Sequence, residues 1–420
     1  MKHLLIISNN VLSENNNNGK TILSFFSGVE NITVAQLYLS GEQPRVAGCD
    51  YFQISDKDII RGLFCKSKRG GQVKANHNGI SIDDFSIRNK VGRNDFTLFI
   101  RDILWKNKWN SRQLEKWLNQ VNPDAIFFVG GDALFAYQIS TYIQRRFNSR
   151  LTVYITDDYI MPRKKESLLH RIRRKMIKSA IDKILGISSC FYTVSAAMHD
   201  AYLKEFKRDS YLAVNMTDDL KKDTEIKRDN EIILTYTGSF YYGRDDVLEI
   251  LAKAILKYNS LKKGKRAKLI IYSNVMPDEN EGKKICVEEA SEYGGALNQA
   301  ELIEQLNLSD MLVFVESFDA DQVEKTRYSL STKVTEYMSV GKPILAIGPK
   351  EVGSMQYLDD VAMCINKKNL VSCELERFLL DVNLQDELAC KARNKYLQNH
   401  NKLNIQKKFL NNIFGNMPPQ

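Results

Sequence analysis

The residues best suited to chemistry fall in one run, Ser331-Thr332-Lys333-Val334-Thr335-Glu336-Tyr337-Met338-Ser339-Val340-Gly341-Lys342-Pro343-Ile344. Read locally, it is a helix start, one short helix, a glycine stop and a buried strand. The N–H groups of a first helical turn have no partners inside the helix. Together with the helix dipole they suit a phosphate. Ser331 or Thr332 stands where a side-chain oxygen would cap that turn. Glu336 follows one turn later, and its carboxylate can accept hydrogen bonds from a sugar diol. Phosphate on the helix end and ribose on a carboxylate is a workable grip on a nucleotide. The plainer reading makes Glu336 a solvated residue of an ordinary strand–helix–strand unit.

Two further groups could carry function. Asp157 and Asp158 follow the apolar run Leu151–Thr156. A carboxylate at the carboxyl end of a strand in an open α/β sheet lies in the usual ligand crevice. It could take a proton from an acceptor hydroxyl or hold an acceptor sugar; equally, the pair could cap a turn ahead of Pro162. Gly130-Gly131-Asp132 ends an earlier run in the same way, unless its glycines only make the turn. The segment Arg163–Lys183 carries Arg163, Lys164, Lys165, Arg171, Arg173, Arg174, Lys175, Lys178 and Lys183 against Glu166 and Asp182. Leu169, Ile172, Met176 and Ala180 recur through it at helical spacing. A basic amphipathic helix of this kind suits an anionic membrane surface. A solvated face and an RNA site are the other readings. No nucleic-acid-binding motif accompanies the charge, so nucleic acid is not an expected partner.

These groups need elements to place them. Gly341 stops the helix in the conformation glycine tolerates, Pro343 blocks its continuation, and Ile344–Ile347 reads as a buried parallel strand. Ahead of this lie strand-like runs at Leu4–Ser8, Ile32–Tyr38, Ala125–Val129, Leu151–Thr156 and Phe191–Val194, the last followed by Ser195 as a helix cap. Arg112–Asn119 reads as a helix, and 56–95 as loop with short elements. The polar stretch Thr217–Asn230 reads as a linker. A second series follows, with strands at Ile232–Thr237, Ala267–Tyr272, Met311–Val315 and Val361–Ile365, and helices at Val247–Tyr258 and Gln299–Leu306. Alternation of this kind means doubly wound parallel sheets. A chain of 420 residues is too long for one core. The expected domains are 1–216 and 231–390, joined by a linker at 217–230 and followed by a helical tail at 391–420.

The run around Glu336 resembles the S-x-K-x-x-E-Y-M-x-x-G-K-P signature of GT-B glycosyltransferases of the family 4 type, including bacterial capsule and exopolysaccharide relatives. The resemblance implies an α/β fold of two Rossmann-like domains facing across a cleft, with a C-terminal helix crossing back to the first domain. It implies transfer of a sugar from a nucleotide donor, a UDP-hexose, to a saccharide or lipid-linked saccharide. It assigns Glu336 to the ribose. The turn ahead of it, with Ser329, Ser331, Thr332 and Lys333, goes to the diphosphate. Ile232–Gly238 and the following Ser239-Phe240-Tyr241-Tyr242-Gly243-Arg244 look like the family's strand, glycine turn and basic residue. Arg244 then matches the diphosphate contact, where a guanidinium offers fixed donors; a solvated loop arginine is the alternative. Leu297 falls where backbone groups read the base. Gly19 falls where a glycine loop faces the donor phosphates. Glu14–Thr21 also nearly spells a P-loop, but Glu14 replaces its first glycine. Asp157 lies at or near a family histidine facing the cleft. Many members carry a second glutamate eight residues before the first; here that position is Tyr328, with Glu324 further back.

Composition narrows the setting. The net charge of +9 favours anionic partners. The seven cysteines stand singly, without zinc spacing, so a reduced cytoplasmic setting and no structural metal are expected. No apolar run reaches about 18 residues, so nothing is expected to cross a bilayer. A suitable Asp-x-Asp motif is missing. No cofactor is therefore expected, and protein cations rather than Mg²⁺ are expected to meet the diphosphate. The expected location is the cytoplasm, peripheral on the inner face of the plasma membrane, with pathway proteins as further partners. A sugar-nucleotide 2-epimerase of the same fold and a non-catalytic partner of another transferase are the competing readings.

Overall fold

The computed structural model describes residues 1–14, 17–64, 69–76, 94–222 and 230–415. They form two compact units, one from Met1–Ala213 and Gln406–Gln420, the other from Val214–Ile405. The first unit begins β1 (Lys2–Ser8), α1 (Asn17–Phe26), β2 (Ile32–Tyr38), β3 (Cys49–Gln53), α2 (Asp56–Phe64) and β4 (Gly71–Val73). It continues α3 (Asp95–Trp105), α4 (Arg112–Val121), β5 (Ala125–Gly130), α5 (Leu134–Phe147) and β6 (Arg150–Ile155). The last elements are α6 (Leu168–Leu185), β7 (Cys190–Thr193), α7 (Ala196–Phe206) and β8 (Tyr211–Leu212). The sheet order is β4-β3-β2-β1-β5-β6-β7-β8. Leu4 pairs with Val34 on one side and Ala125 on the other, both in parallel register, and β4 alone runs antiparallel, against β3. The run Leu4–Ile7 is fully buried, as a parallel strand covered on both faces must be. Strand order reverses between β1 and β5, so the crevice at their carboxyl ends opens beside Ser8 and Gly130.

The second unit starts with β9 (Glu231–Thr237), α8 (Arg244–Leu261), β10 (Arg266–Tyr272), α9 (Glu279–Ile285) and β11 (Ser291–Gly295). It continues α10 (Gln299–Leu308), β12 (Met311–Val315), α11 (Ala320–Thr326), α12 (Thr332–Val340), β13 (Ile344–Ile347), α13 (Gly353–Leu358) and β14 (Met363–Ile365). Three helices end the described chain: α14 (Val371–Leu380), α15 (Val382–Asn399) and α16 (Lys402–Phe414). The sheet order is β11-β10-β9-β12-β13-β14, all parallel. Its switch point lies between β9 and β12, whose ends carry Gly238 and Glu316. Leu234, Tyr236, Leu251, Ile255, Val313 and Leu345 belong to the core that holds this sheet against its helices.

Several segments differ from the sequence expectation. The stretch read as loop with short elements from residue 56 opens on the helix α2, because Ser55 and Asp58 reciprocate at its start: the Ser55 N–H and hydroxyl both donate to Asp58, and the Asp58 N–H donates to Ser55 Oγ. The same region also holds β4 and the start of α3, and residues 77–93 of it lie outside the described residues. The linker expected at 217–230 is tied in where it is described. Thr217 bonds Lys402 and His400 through the backbone, and the Lys222 N–H donates to Asn307; residues 223–229 lie outside the described residues. The tail expected at 391–420 divides. Helix α15 remains in the second unit and rests on α12. In α16, Phe409 sits among Phe25, Phe26, Phe127 and Tyr192 of the first unit. Among the described residues no helix is long and apolar enough to cross a membrane.

Candidate functional site

The carboxyl ends of β9 and β12 bring one basic and one acidic side chain together. Arg244 opens α8, with Gly243 as its N-cap in the left-handed conformation (φ 74°) and no side-chain cap bond. A β-carbon on Gly243 would stand 2.6 Å from Ser317 Oγ, so only glycine fits that turn without displacing Ser317. From this position Arg244 donates through Nη2 to both oxygens of Glu316, at 3.0 and 3.2 Å. Glu316 is buried and Arg244 nearly so. Burial works against the Arg244 charge, and the Glu316 carboxylate outweighs it. Arg244 is therefore not a solvated loop residue. Sequence reasoning missed Glu316. Its signal was present: a carboxylate directly after the apolar strand Met311–Val315, the same signal that singled out Asp157.

Lys333 reaches into the same corner. Its ammonium lies 5.1 Å from the centre of the Tyr236 ring. Gly238 (φ 135°) makes room for it, because a β-carbon there would collide with Lys333 Nζ. Burial pulls the Lys333 pKa down to about 8, the Arg244 charge pulls the same way, and Glu316 and Glu336 pull it back. Three residues on, Glu336 is 5% exposed, which removes the solvated-helix reading. Ser331 takes the N-cap position of α12 as expected, yet its side chain makes no cap bond. Its backbone N–H donates to Ser354 Oγ instead. Thr332 begins the helix half-buried, and its first-turn N–H groups receive no side-chain cap. Beneath, Tyr337 fixes the strand end by accepting from Thr237 N at 3.0 Å.

The remaining assignments on this unit are backbone positions. Ser329 lies in the turn before α12, its N–H bonded to Thr326 O, and its carbonyl would stand 2.7 Å from a β-carbon on Gly353. Tyr328, at the position of the missing glutamate, is half-buried under the Arg327 guanidinium. Leu297 is half-buried in the turn between β11 and α10, where Asn298 forms a capping box with Glu301.

On the first unit the two aspartates separate. Asp158 Oδ1 accepts from the N–H groups of Ile160 and Met161, at 3.1 and 3.0 Å, so it takes the turn-capping role. Asp157 accepts from Thr156 and Tyr159 hydroxyls. Burial raises its pKa; the two hydroxyls lower it, and the Asp132 and Asp158 carboxylates raise it again. Asp157, Asp132 and Gly131 thus gather at the ends of β5 and β6, with the Tyr137 hydroxyl donating to Gly131 O. Gly19 serves packing: a β-carbon there would stand 2.5 Å from Val11 O and 2.9 Å from Ser13 Cβ. Among the described residues no three His, Cys, Asp or Glu side chains gather as a metal cluster.

Helix α6 divides its charges. Arg173 is buried and paired with Asp102 at 2.8 Å, and it also donates to Asp132 O at 2.7 Å. Arg171 and Arg174 both pair with Glu166, and Lys178 pairs with Glu205. The face turned to the core is Ile177, Ile181, Ile184 and Leu185. The stripe expected from spacing lies mostly outside it, with Ile172 and Met176 each 43% exposed.

No family model matches the sequence, and no curated protein resembles it closely enough in sequence to register. Solved structures do match over the whole chain. The trehalose-6-phosphate synthase of E. coli bound to UDP-2-fluoro glucose superposes with a TM-score of 0.62 at 12% identity, over 99% of this chain and all of that one. Anabaena HepE in complex with UDP gives 0.60 at 11%, over 98% of each chain. The UDP-forming α,α-trehalose-phosphate synthase of Burkholderia xenovorans with glucose-6-phosphate gives 0.60 at 11%, over 98% of this chain and all of that one. At these identities the likeness establishes the fold: two parallel-sheet α/β domains of the GT-B class.

Proposed function

We propose that the protein is a glycosyltransferase of the family 4 type, moving a hexose from a UDP-sugar to a saccharide or lipid-linked saccharide in cell-surface polysaccharide synthesis. The carrying observation is the corner at the second unit's switch point. There, among the described residues, Arg244 bonds through Nη2 alone, Lys333 lies beside it, and α12 starts without a side-chain cap. Guanidinium N–H groups, an ammonium and a helix start without a side-chain cap are what a diphosphate needs when it departs with negative charge. Glu336, buried one turn further along, takes the ribose hydroxyls. Ser329 and Gly238 offer close backbone approach, and Leu297 lies where the base would rest. That a structure of this fold carries UDP, and another a UDP-sugar analogue, supports the nucleotide assignment.

In this reading the leaving diphosphate is neutralised by protein cations without Mg²⁺. On the first unit, Asp157 orients or deprotonates the acceptor hydroxyl, and burial raises its pKa, which favours taking up a proton. Helix α6 turns Leu168, Ile172 and Met176 outward among cations, which supports a peripheral position on the inner face of the plasma membrane and a lipid-linked acceptor.

The test is incubation of the pure protein with a panel of nucleotide sugars, following slow donor hydrolysis by nucleotide release. Release of UDP from one donor, accelerated by added saccharide, is expected. Acceptor-free epimerisation would make it an epimerase. UDP binding with no turnover of any donor would favour a non-catalytic partner, the reading that Tyr328 in place of a glutamate supports.

A further inference from the structure

A groove of about 1200 Å³ runs between α5 and α6, wholly within the first unit, and shares Ile172, Lys175, Met176, Ala180 and Lys183 with the basic helix assigned above. Its apolar lining includes Trp109, Leu134, Ile172, Met176 and Ala180. Its charged lining is basic: Arg145, Arg146, Lys175 and Lys183, with no carboxylate among the lining residues. Arg146 is paired with Glu115. Arg145, Lys175 and Lys183 make no ion pair among the described residues, and Arg145, Lys175 and Lys183 are exposed. Trp109 is 6% exposed, packs edge-on against Tyr142 at 5.2 Å, and holds a buried indole N–H with no acceptor among the described residues. An unpaired buried donor of this kind is costly, and a ligand oxygen would satisfy it.

An apolar floor under an unneutralised basic rim matches one chemistry, a hydrocarbon chain attached to a phosphate. We infer that this groove takes one acyl chain of an anionic membrane phospholipid, its phosphate resting on the Arg145, Lys175 and Lys183 rim. The inference rests on the membrane-surface part of the proposed function and goes beyond it. Adsorption to a charged bilayer needs only surface cations, whereas the groove requires a chain to leave the bilayer and enter the protein. A bound lipid would fix the orientation of the first unit at the membrane and present its acceptor side to lipid-borne saccharide.

The test uses the full chain and vesicles of phosphatidylglycerol or phosphatidylcholine whose acyl chains carry bromine, which quenches tryptophan on contact. Trp105 and Trp117 are fully buried, which leaves Trp109 as the reporter in the groove. Phosphatidylglycerol vesicles should sediment the wild type and quench its emission, and Trp109→Phe should remove most of that quenching while sedimentation stays. Ala180→Phe, which fills the floor, should abolish quenching. Lys175→Glu with Lys183→Glu, on exposed positions that folding does not need, should weaken vesicle binding at least tenfold. Circular dichroism checks that each variant is folded. Sedimentation without Trp109 quenching would overturn the groove and leave the membrane surface standing. Failure to sediment at low salt would overturn both. Equal quenching by phosphatidylcholine, or full competition by inorganic phosphate, would overturn an anionic lipid as the occupant.

Discussion

Two buried arginine–carboxylate pairs, one in each unit, look alike and are differently finished. Arg173 and Asp102 are both 6% exposed in their side chains, and each also bonds a second element. Arg173 also donates to Asp132 O, and Asp102 also accepts from Leu134 N. Arg244 and Glu316 are paired at similar distance, but Arg244 bonds through one nitrogen, a second cation lies beside it, and both sit at a sheet switch point. A pair that bridges several elements holds them together. A pair closed on one partner, beside helix starts without side-chain caps, leaves its outer face to a ligand. Burial and distance alone do not separate structure from function; whether a pair bridges several elements or closes on one partner does.

The largest expected effect breaks the bridging pair. Arg173→Ala strands a buried carboxylate and should cost about 3–5 kcal/mol of stability in urea unfolding. Arg244→Ala should cost clearly less, because Lys333 remains near Glu316. Equal losses for the two would end the distinction. Nucleotide binding should show the reverse ranking. Arg244→Ala should weaken UDP by about 3 kcal/mol, a hundredfold or more, and leave uridine unchanged; calorimetry showing the same loss for both ligands would make Arg244 a scaffold residue.

Glu336→Ala should weaken UDP binding by about 1.5–3 kcal/mol, the range of a lost charged hydrogen bond, and should weaken uridine as well, since ribose is common to both. An unaltered uridine affinity would remove the ribose role. A smaller effect is expected with pH. Lys333 titrates near 8 in the folded protein, below its ordinary 10.5. Between these values the unfolded chain binds more protons, so stability should rise with pH across that window. UDP affinity should move the other way, falling several-fold from pH 7.5 to 9.5 as the ammonium loses its charge. Lys333→Met should flatten both curves; a wild-type affinity that ignores pH over this range would place the diphosphate elsewhere. The smallest expected change is that from EDTA. Activity should persist in it, and complete loss restored by Mg²⁺ would contradict neutralisation by protein groups alone.

Much of the site was legible because its signals are local. The cap position, short helix, Gly341 stop and Ile344–Ile347 strand lie within one stretch, and the structure reproduces them within a residue. Gly238 and Arg244 were visible as a turn and a cation after a strand. Glu316 was passed over, since nothing nearby in the chain announces that a carboxylate 72 residues from Arg244 will meet it. On α6 helical spacing was read correctly as amphipathic, but two apolar faces compete there. Tertiary contact chose Ile177 and Ile181 for the core and left Ile172 and Met176 outside.

By itself, then, the sequence determined the alternation of strands and helices, the split into two sheets and the short run that can grip a nucleotide. Those follow from periodicity, turn chemistry and caps acting over a few residues. Only the tertiary structure decided which charges are spent and which are free. Strand order places β9 beside β12, and so Arg244 beside Glu316. Helix packing brings α3 against α6, and so Asp102 under Arg173. A charge's availability depends on partners supplied from distant parts of the chain, and those partners exist only once the sheets are closed.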